Sequence, residues 1–246
     1  MLELTGFSPL NAYRAARGLP NFLRTLKDYS SAEAPQGFKI TKASFFPILT
    51  DFRDKAGNVD CHYFHQDLWA ARKIHAARPA RHLDIGSRVD GFVAHVLTFM
   101  PITLIDVRPL PSFVDGLTFI QEDATRLTSL ADGSVESLSS LHAVEHFGLG
   151  RYGDPVDPYA CFHVMKAMAR VLKPSGRLYF SVPIGRERLE FNAQRVFSPQ
   201  TILDGFAALK LVSFAAVNDR GDFDAVSPPD AHADADYACG LFELTK

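Results

Sequence analysis

The chain has 246 residues, 47% of them hydrophobic and 22% charged, with a formal net charge of −2. That size suits one large α/β domain, or a domain with a short extension. The near-neutral balance gives no electrostatic argument for DNA, RNA or an anionic membrane as a partner. No stretch reaches the roughly 20 apolar residues that span a bilayer. Cys61, Cys161 and Cys239 are widely separated and form no CxxC, so neither a disulfide framework nor a cysteine-based zinc site is expected, and a reducing compartment fits. The opening MLELTGFSPLNAYRAARG lacks the charged start and apolar run of a signal peptide, and the expectation is a cytoplasmic protein.

Residues 1–60 differ from the rest and read as an N-terminal extension to a main domain over 61–246. A helix is expected over 10–27, with Asn11 near its start and Leu23 and Leu26 on an apolar side; Pro20 should break or restart it. Residues 38–49 are aromatic and β-like, ending in Asp51-Phe52-Arg53-Asp54 and Gly57. A helix follows over 63–77, where Leu68, Ala71, Arg72 and His75 have helical spacing and Trp69 reads as core.

An alternating pattern then begins. HLDI (82–85), bounded by Gly86, is a buried strand; 92–99 is helical; 102–106, 117–121 and 135–141 are strands. Residues 158–172 form a helix with Val164, Met168, Val171 and Leu172 on one side, and Pro174-Ser175-Gly176 ends it. RLYFSVP (177–183) is a fifth core strand. Ser198 and Pro199 open a helix through Phe206, as N-cap and first helical residue. Strands over 209–217 and 239–244 flank an acidic loop, 218–236, that contains Pro228-Pro229. Strands alternating with helices predict an α/β fold with a doubly wound, mostly parallel sheet.

Ligands of such sheets bind beyond the C-terminal strand ends. There the first core strand runs into Asp84-Ile85-Gly86-Ser87-Arg88-Val89-Asp90-Gly91. Gly86 permits a tight turn and close approach of a ligand to the backbone. This is not GxGxxG: Arg88 stands where a second glycine would meet a pyrophosphate, which weakens a dinucleotide reading, and a single glycine turn is also an ordinary strand–helix connection. Asp106 ends the second strand, 22 residues after Asp84, where a carboxylate accepts hydrogen bonds from ribose hydroxyls. Asp123, with Ala124 beside it, follows the third strand; in a nucleoside site an acid there can receive the adenine amino group. Three acids at successive strand ends favour a nucleoside site over solvated strand ends.

The succession HLDIGSRVDG, LIDVRP, IQEDATRL, SLSSLHAVEHF and ARVLKPSGRLYFSVP resembles class I S-adenosylmethionine (SAM)-dependent methyltransferases over residues 82–184. More narrowly, HYFHQDLWAARKI, HFGLGRYGDPVDP and FSVPIGRERLEFNAQRVFSP resemble a little-characterised bacterial and nematode methyltransferase-like family of unknown function. The resemblance implies a Rossmann-like, seven-stranded sheet with helices on both faces and the last strand antiparallel. It implies SAM as cofactor, with Asp84, Gly86, Ser87 and Arg88 at its methionine part, Asp106 at the ribose, Asp123 and Ala124 at the adenine, and Leu141 and His142 alongside. Arg88 departs from the family turn. Proteins of this kind are associated with surface-polysaccharide biosynthesis, so a sugar or glycan hydroxyl, or another small hydroxyl acceptor, is the implied substrate. Tyr63, His65, Gln66 and Asp67 would form a lid.

A hydroxyl acceptor benefits from a general base. His142, Glu145 and His146 follow the fourth strand, and His146 is the first candidate. The loop GLGRYGDPVDP supplies Arg151, Tyr152 and Asp154, and the segment after the fifth strand supplies Arg186, Arg188, Asn192 and Arg195, as candidate acceptor contacts. Two alternatives stay open. One is a non-catalytic SAM- or nucleoside-binding protein. The other is a zinc hydrolase using HxxEH (142–146), although the motif starts straight after a strand and glycines interrupt any long helix. His62 and His65 with Asp67 match no ligand-spacing rule, and no metal is assigned.

Overall fold

A computed structural model describes residues 8–53, 57, 59 and 61–246. Residues 1–7 of the N-terminal stretch and Asp54 lie outside the described residues. The chain divides into two compact units, residues 1–58 and 59–246.

In the first unit, helix α1 spans Pro9–Ser31, capped by the Ser8 side chain, which accepts from the Asn11 N–H. It runs through Pro20 without ending, which corrects the expected break. A helix-interior proline removes one backbone hydrogen bond, and here the ladder resumes beyond it. The expected β-like segment is also corrected. Residues 38–49 form no strand; 3₁₀ turns occupy Gln36–Phe38 and Lys42–Ser44.

The second unit begins with α2 (His62–Ala77), followed by β1 (His82–Ile85), a π-helical turn (Val89–Val93) and α3 (Ala94–Leu97). Next come β2 (Ile102–Asp106), β3 (Leu117–Gln121), β4 (Val135–Leu141), α4 (Ala160–Val171) and β5 (Leu172–Ile184). The hairpin β6 (Arg188–Glu190) and β7 (Gln194–Val196) leads into α5 (Pro199–Gly205), β8 (Lys210–Val217), β9 (Phe223–Asp224) and β10 (Ala238–Thr245). The sheet order is β3-β2-β1-β4-β5-β10-β8-β9. The first five of these strands pair in parallel, and β10 is antiparallel to both β5 and β8. β9 adds an eighth strand at the edge, pairing with the end of β8, so the sheet exceeds the expected seven. It lies inside what reads from sequence as a loop.

Side-chain alternation builds a core on each face of the sheet. Leu138, Phe180 and Phe242 face one side, where Val164, Met168 and Val171 of α4 and Ile202 of α5 pack. Leu141, Tyr179 and Leu241 face the other, against Trp69 and Ile74 of α2 and Val93 and Val96. A helix as short as α4 is marginal alone. Burying each of Val164, Met168 and Val171 stabilises by about 1.5–3 kcal/mol, so packing holds it in place.

Candidate active site

The turn after β1 rests on a buried polar chain. Asp84 is fully buried; its Oδ1 accepts from the Ser87 N–H at 2.9 Å, and its Oδ2 accepts from the hydroxyls of Ser87 and Ser139. Ser87 Oγ in turn accepts from the Leu141 N–H at 2.9 Å, tying the turn to the end of β4. His82 bridges Ser137 and Ser139 at 2.7 and 2.9 Å. Desolvation pushes the Asp84 carboxyl up to about 6, opposed by its hydroxyl and N–H donors. The unfolded carboxyl titrates near 3.8, so the stability contribution from this shift is present below about pH 4 and lost as pH rises through about 6. The unfolding free energy of the wild type minus that of Asp84→Asn should therefore fall by up to about 3 kcal/mol between pH 4 and 7. Urea titrations across that range check it; a difference that does not change with pH would refute it.

A cavity of about 1150 Å³ opens at the C-terminal strand ends. Gly86, Arg88, Asp106, Asp123, Ala124, His142, His146, Tyr152 and Asp154 line it. Gly86 has φ +72°, and a Cβ there would stand 3.0 Å from that of Ala143. Asp106 receives the Arg108 backbone N–H and Nε on Oδ1 (2.8 and 3.0 Å) and Nη2 on Oδ2 (2.6 Å). The Arg108 guanidinium also lies 4.6 Å from the centre of the Tyr152 ring. Asp123 Oδ1 accepts from the Thr125 N–H at 2.9 Å.

The other expected residues are placed differently. Asp84, Ser87 and Leu141 support the turn from beneath rather than lining the cavity. His65, Arg151, Arg186, Asn192 and Arg195 are also not among its lining residues. His65 stacks on Phe223. Arg151 donates to the Ala193 carbonyl, Arg186 pairs with Asp236, and Arg195 donates to the carbonyls of Glu145, Phe147 and Pro158. Their guanidinium groups hold loops in place.

Asp154 lines the cavity and also organises its own loop, accepting from the N–H groups of Gly148 and Tyr152. Gly148 has φ +75°, and a Cβ there would lie 1.9 Å from the Asp157 carbonyl oxygen. Gly148→Ala is expected to destabilise by on the order of 1–3 kcal/mol, read as a lowered urea midpoint.

The segment 142–146 is not a helix. His142 has φ +48°, and a 3₁₀ turn covers Val144–His146. The HxxEH residues therefore do not present two histidines on one helical face. Instead Glu145 lies between them, 2.7 Å from His142 Nδ1 and 3.6 Å from His146 Nε2. Burial disfavours a charged His142, but Cys239 and Glu145 outweigh it and hold the imidazole well above its usual value. His146 behaves oppositely: burial holds it below its usual value against Glu145 and the Ala193 carbonyl. Its Nδ1 lies 2.7 Å from that carbonyl. A carbonyl only accepts, so Nδ1 carries the hydrogen and Nε2 keeps the basic lone pair.

Arg108, His163 and Lys166 also line the cavity and were missed from sequence. His163, Lys166 and Arg170 recur at helical spacing on the side of α4 away from Met168, with the buried Ala167 at the edge of that stripe. That spacing was the available signal.

The strand order, with an antiparallel β10 between β5 and β8, and the position of the cavity define the class I SAM-dependent methyltransferase fold. Solved structures agree. The chain is similar to the N-methyltransferase NodS from Bradyrhizobium japonicum WM9 in complex with S-adenosyl-L-homocysteine, with TM-score 0.52 and 12% identity over 92% of this chain and 98% of that one. It is similar to a putative sarcosine dimethylglycine methyltransferase from Galdieria sulphuraria, with TM-score 0.53 and 14% identity over 74% and 85%. It is equally similar to the [4+2]-cyclase SpnF, with TM-score 0.53 and 15% identity over 78% and 85%. In sequence, the model of the family described as "Caenorhabditis protein of unknown function, DUF268" matches residues 118–221. No curated protein matches the chain.

Proposed function

We propose that the chain is a SAM-dependent methyltransferase acting on a hydroxyl of a sugar, glycan unit or other small acceptor. One observation carries this reading. Asp106, Asp123 and Ala124 line the same cavity as His146, whose Nε2 is the nitrogen left free to accept a proton. The residues suit the cofactor. Gly86 leaves room against the backbone, Asp106 offers carboxylate oxygens to a ribose, and Asp123 stands where an adenine amino group is received. SAM supplies an electrophilic methyl group on a sulfonium. The protein's task is then to align the acceptor oxygen with that carbon, and to take the hydroxyl proton on His146 Nε2. Tyr152, Asp154, His163 and Lys166 give the wall hydrogen-bonding groups for a polyhydroxylated acceptor.

The reading treats 61–246 as the cofactor-binding domain and 1–60 as an extension. It places the protein in the cytoplasm, where the thiols of Cys161 and Cys239 stay reduced, and in polysaccharide biosynthesis. No helix among the described residues is long and apolar enough to cross a membrane. The test is transfer of label from methyl-labelled SAM to a panel of sugars, oligosaccharides and lipids, beside calorimetry with S-adenosylhomocysteine. NAD binding without S-adenosylhomocysteine binding would overturn the reading.

A second reading, SAM or nucleoside binding without methyl transfer, is favoured by one feature: Arg108 grips the same Asp106 oxygens that a ribose requires. SpnF, a cyclase of similar fold, illustrates that this architecture serves other reactions. Cofactor binding with no labelled product across the panel would support it. The hydrolase reading loses its basis, because 142–146 does not form the helix it needs.

A further inference from the structure

Beside the cavity, three side chains from distant parts of the chain converge. His62 Nδ1, at the start of α2, lies 3.2 Å from His142 Nε2, at the end of β4. Cys239 Sγ, on β10, completes a group whose donor atoms all lie within 4.8 Å of one another. His142 and Cys239 are buried and His62 is half-buried. Two nitrogens bound to one tetrahedral zinc ion at about 2.0–2.1 Å stand roughly 3.3–3.4 Å apart, close to the spacing found.

A second observation is independent of that spacing. His142 Nδ1 lies 2.7 Å from Glu145 Oε1. A carboxylate only accepts, so Nδ1 carries a hydrogen whichever form His142 takes, and Nε2 is the ring atom that faces His62 Nδ1. A carboxylate orienting a histidine through its other nitrogen is the usual support of a metal ligand. Glu145 is 1% exposed, and its Oε2 has no hydrogen-bond partner. A buried carboxylate left half-satisfied is costly unless positive charge stands nearby.

We propose that His62 Nδ1, His142 Nε2 and Cys239 Sγ bind a zinc ion, with Glu145 orienting His142. Imidazole and thiolate together suit zinc, and three protein ligands leave a fourth position for water or a hydroxyl. This set is distinct from HxxEH: His146 is not a ligand, and His62 and Cys239 replace it. The site stands independently of the methyl-transfer reading, because metal content reports it without cofactor or acceptor.

The test is metal analysis of the full chain, purified after expression in zinc-supplemented medium and dialysed without chelator. About one equivalent of zinc is expected. His62→Ala, which alters a half-buried helix end, should abolish stoichiometric zinc while circular dichroism shows the fold retained. Glu145→Gln should weaken zinc binding by about 10–100-fold. Cobalt substitution should give a thiolate-to-cobalt charge-transfer band that Cys239→Ser removes. A metal-free wild type that takes up neither zinc nor cobalt overturns the proposal, as does full zinc retention in folded His62→Ala. Calorimetry with S-adenosylhomocysteine on the same samples tests the cofactor reading separately.

Discussion

Asp106→Ala is expected to weaken S-adenosylhomocysteine binding by about 10²–10³-fold. Two ribose hydroxyls would lose a charged acceptor, and hydrogen bonds to charged groups contribute roughly 1.5–3 kcal/mol each. A carboxylate has about four acceptor positions, and Arg108 uses three on Asp106: two on Oδ1 and one on Oδ2. Both hydroxyls can bind only if the Arg108 side chain gives up at least one contact. That exchange lowers the wild-type affinity, so the loss in the variant falls toward the lower part of the two-bond range. The measurement is titration calorimetry of wild type and variant, with the fold checked by circular dichroism. Unchanged affinity in a folded variant would mean that the nucleoside does not reach the end of β2.

What the sequence made legible here was local. HLDIG, Asp106 and Asp123 announce themselves because each sits at the end of a short apolar run, and the parallel topology brings those ends to one edge. The antiparallel final strand came from the resemblance rather than from the strand's own pattern. The arginines misled for a physical reason: Arg151 and Arg195 find backbone carbonyls in neighbouring loops, and composition cannot tell a guanidinium that braces a loop from one that faces a ligand. The region 38–49 is rich in aromatic residues, which favour strands, but pairing decides whether a strand forms, and among the described residues, 38–49 pair with no strand. His62 and Cys239 lie 80 and 97 residues from His142. No spacing rule relates them, because the sheet order, not the local chain, brings β4 and β10 near the start of α2.

His146→Ala is expected to leave S-adenosylhomocysteine affinity nearly unchanged while slowing methyl transfer by about 10²–10⁴-fold, the usual effect of losing a positioned base. Three observations single out His146 over His142. Its Nδ1 is committed to the Ala193 carbonyl, so Nε2 has the lone pair. Burial holds its pKa below the usual value, so the neutral form is already present at pH 7 and the base is lost only as pH falls through that lowered value. His142, by contrast, is engaged on both nitrogens, by Glu145 and His62, and Cys239 and Glu145 favour its protonated form. Single-turnover transfer of labelled methyl, followed from pH 5 to 9 on wild type and variant, checks the assignment. The wild-type rate should fall on the acid side with a midpoint below the ordinary histidine value of about 6.5, and the variant should lose that limb. Should the variant transfer methyl within a few-fold of wild type with the acid limb intact, His146 is not the base. Should it instead lose zinc along with activity, the ion would be held by His146, and the ligand set His62, His142 and Cys239 would be wrong.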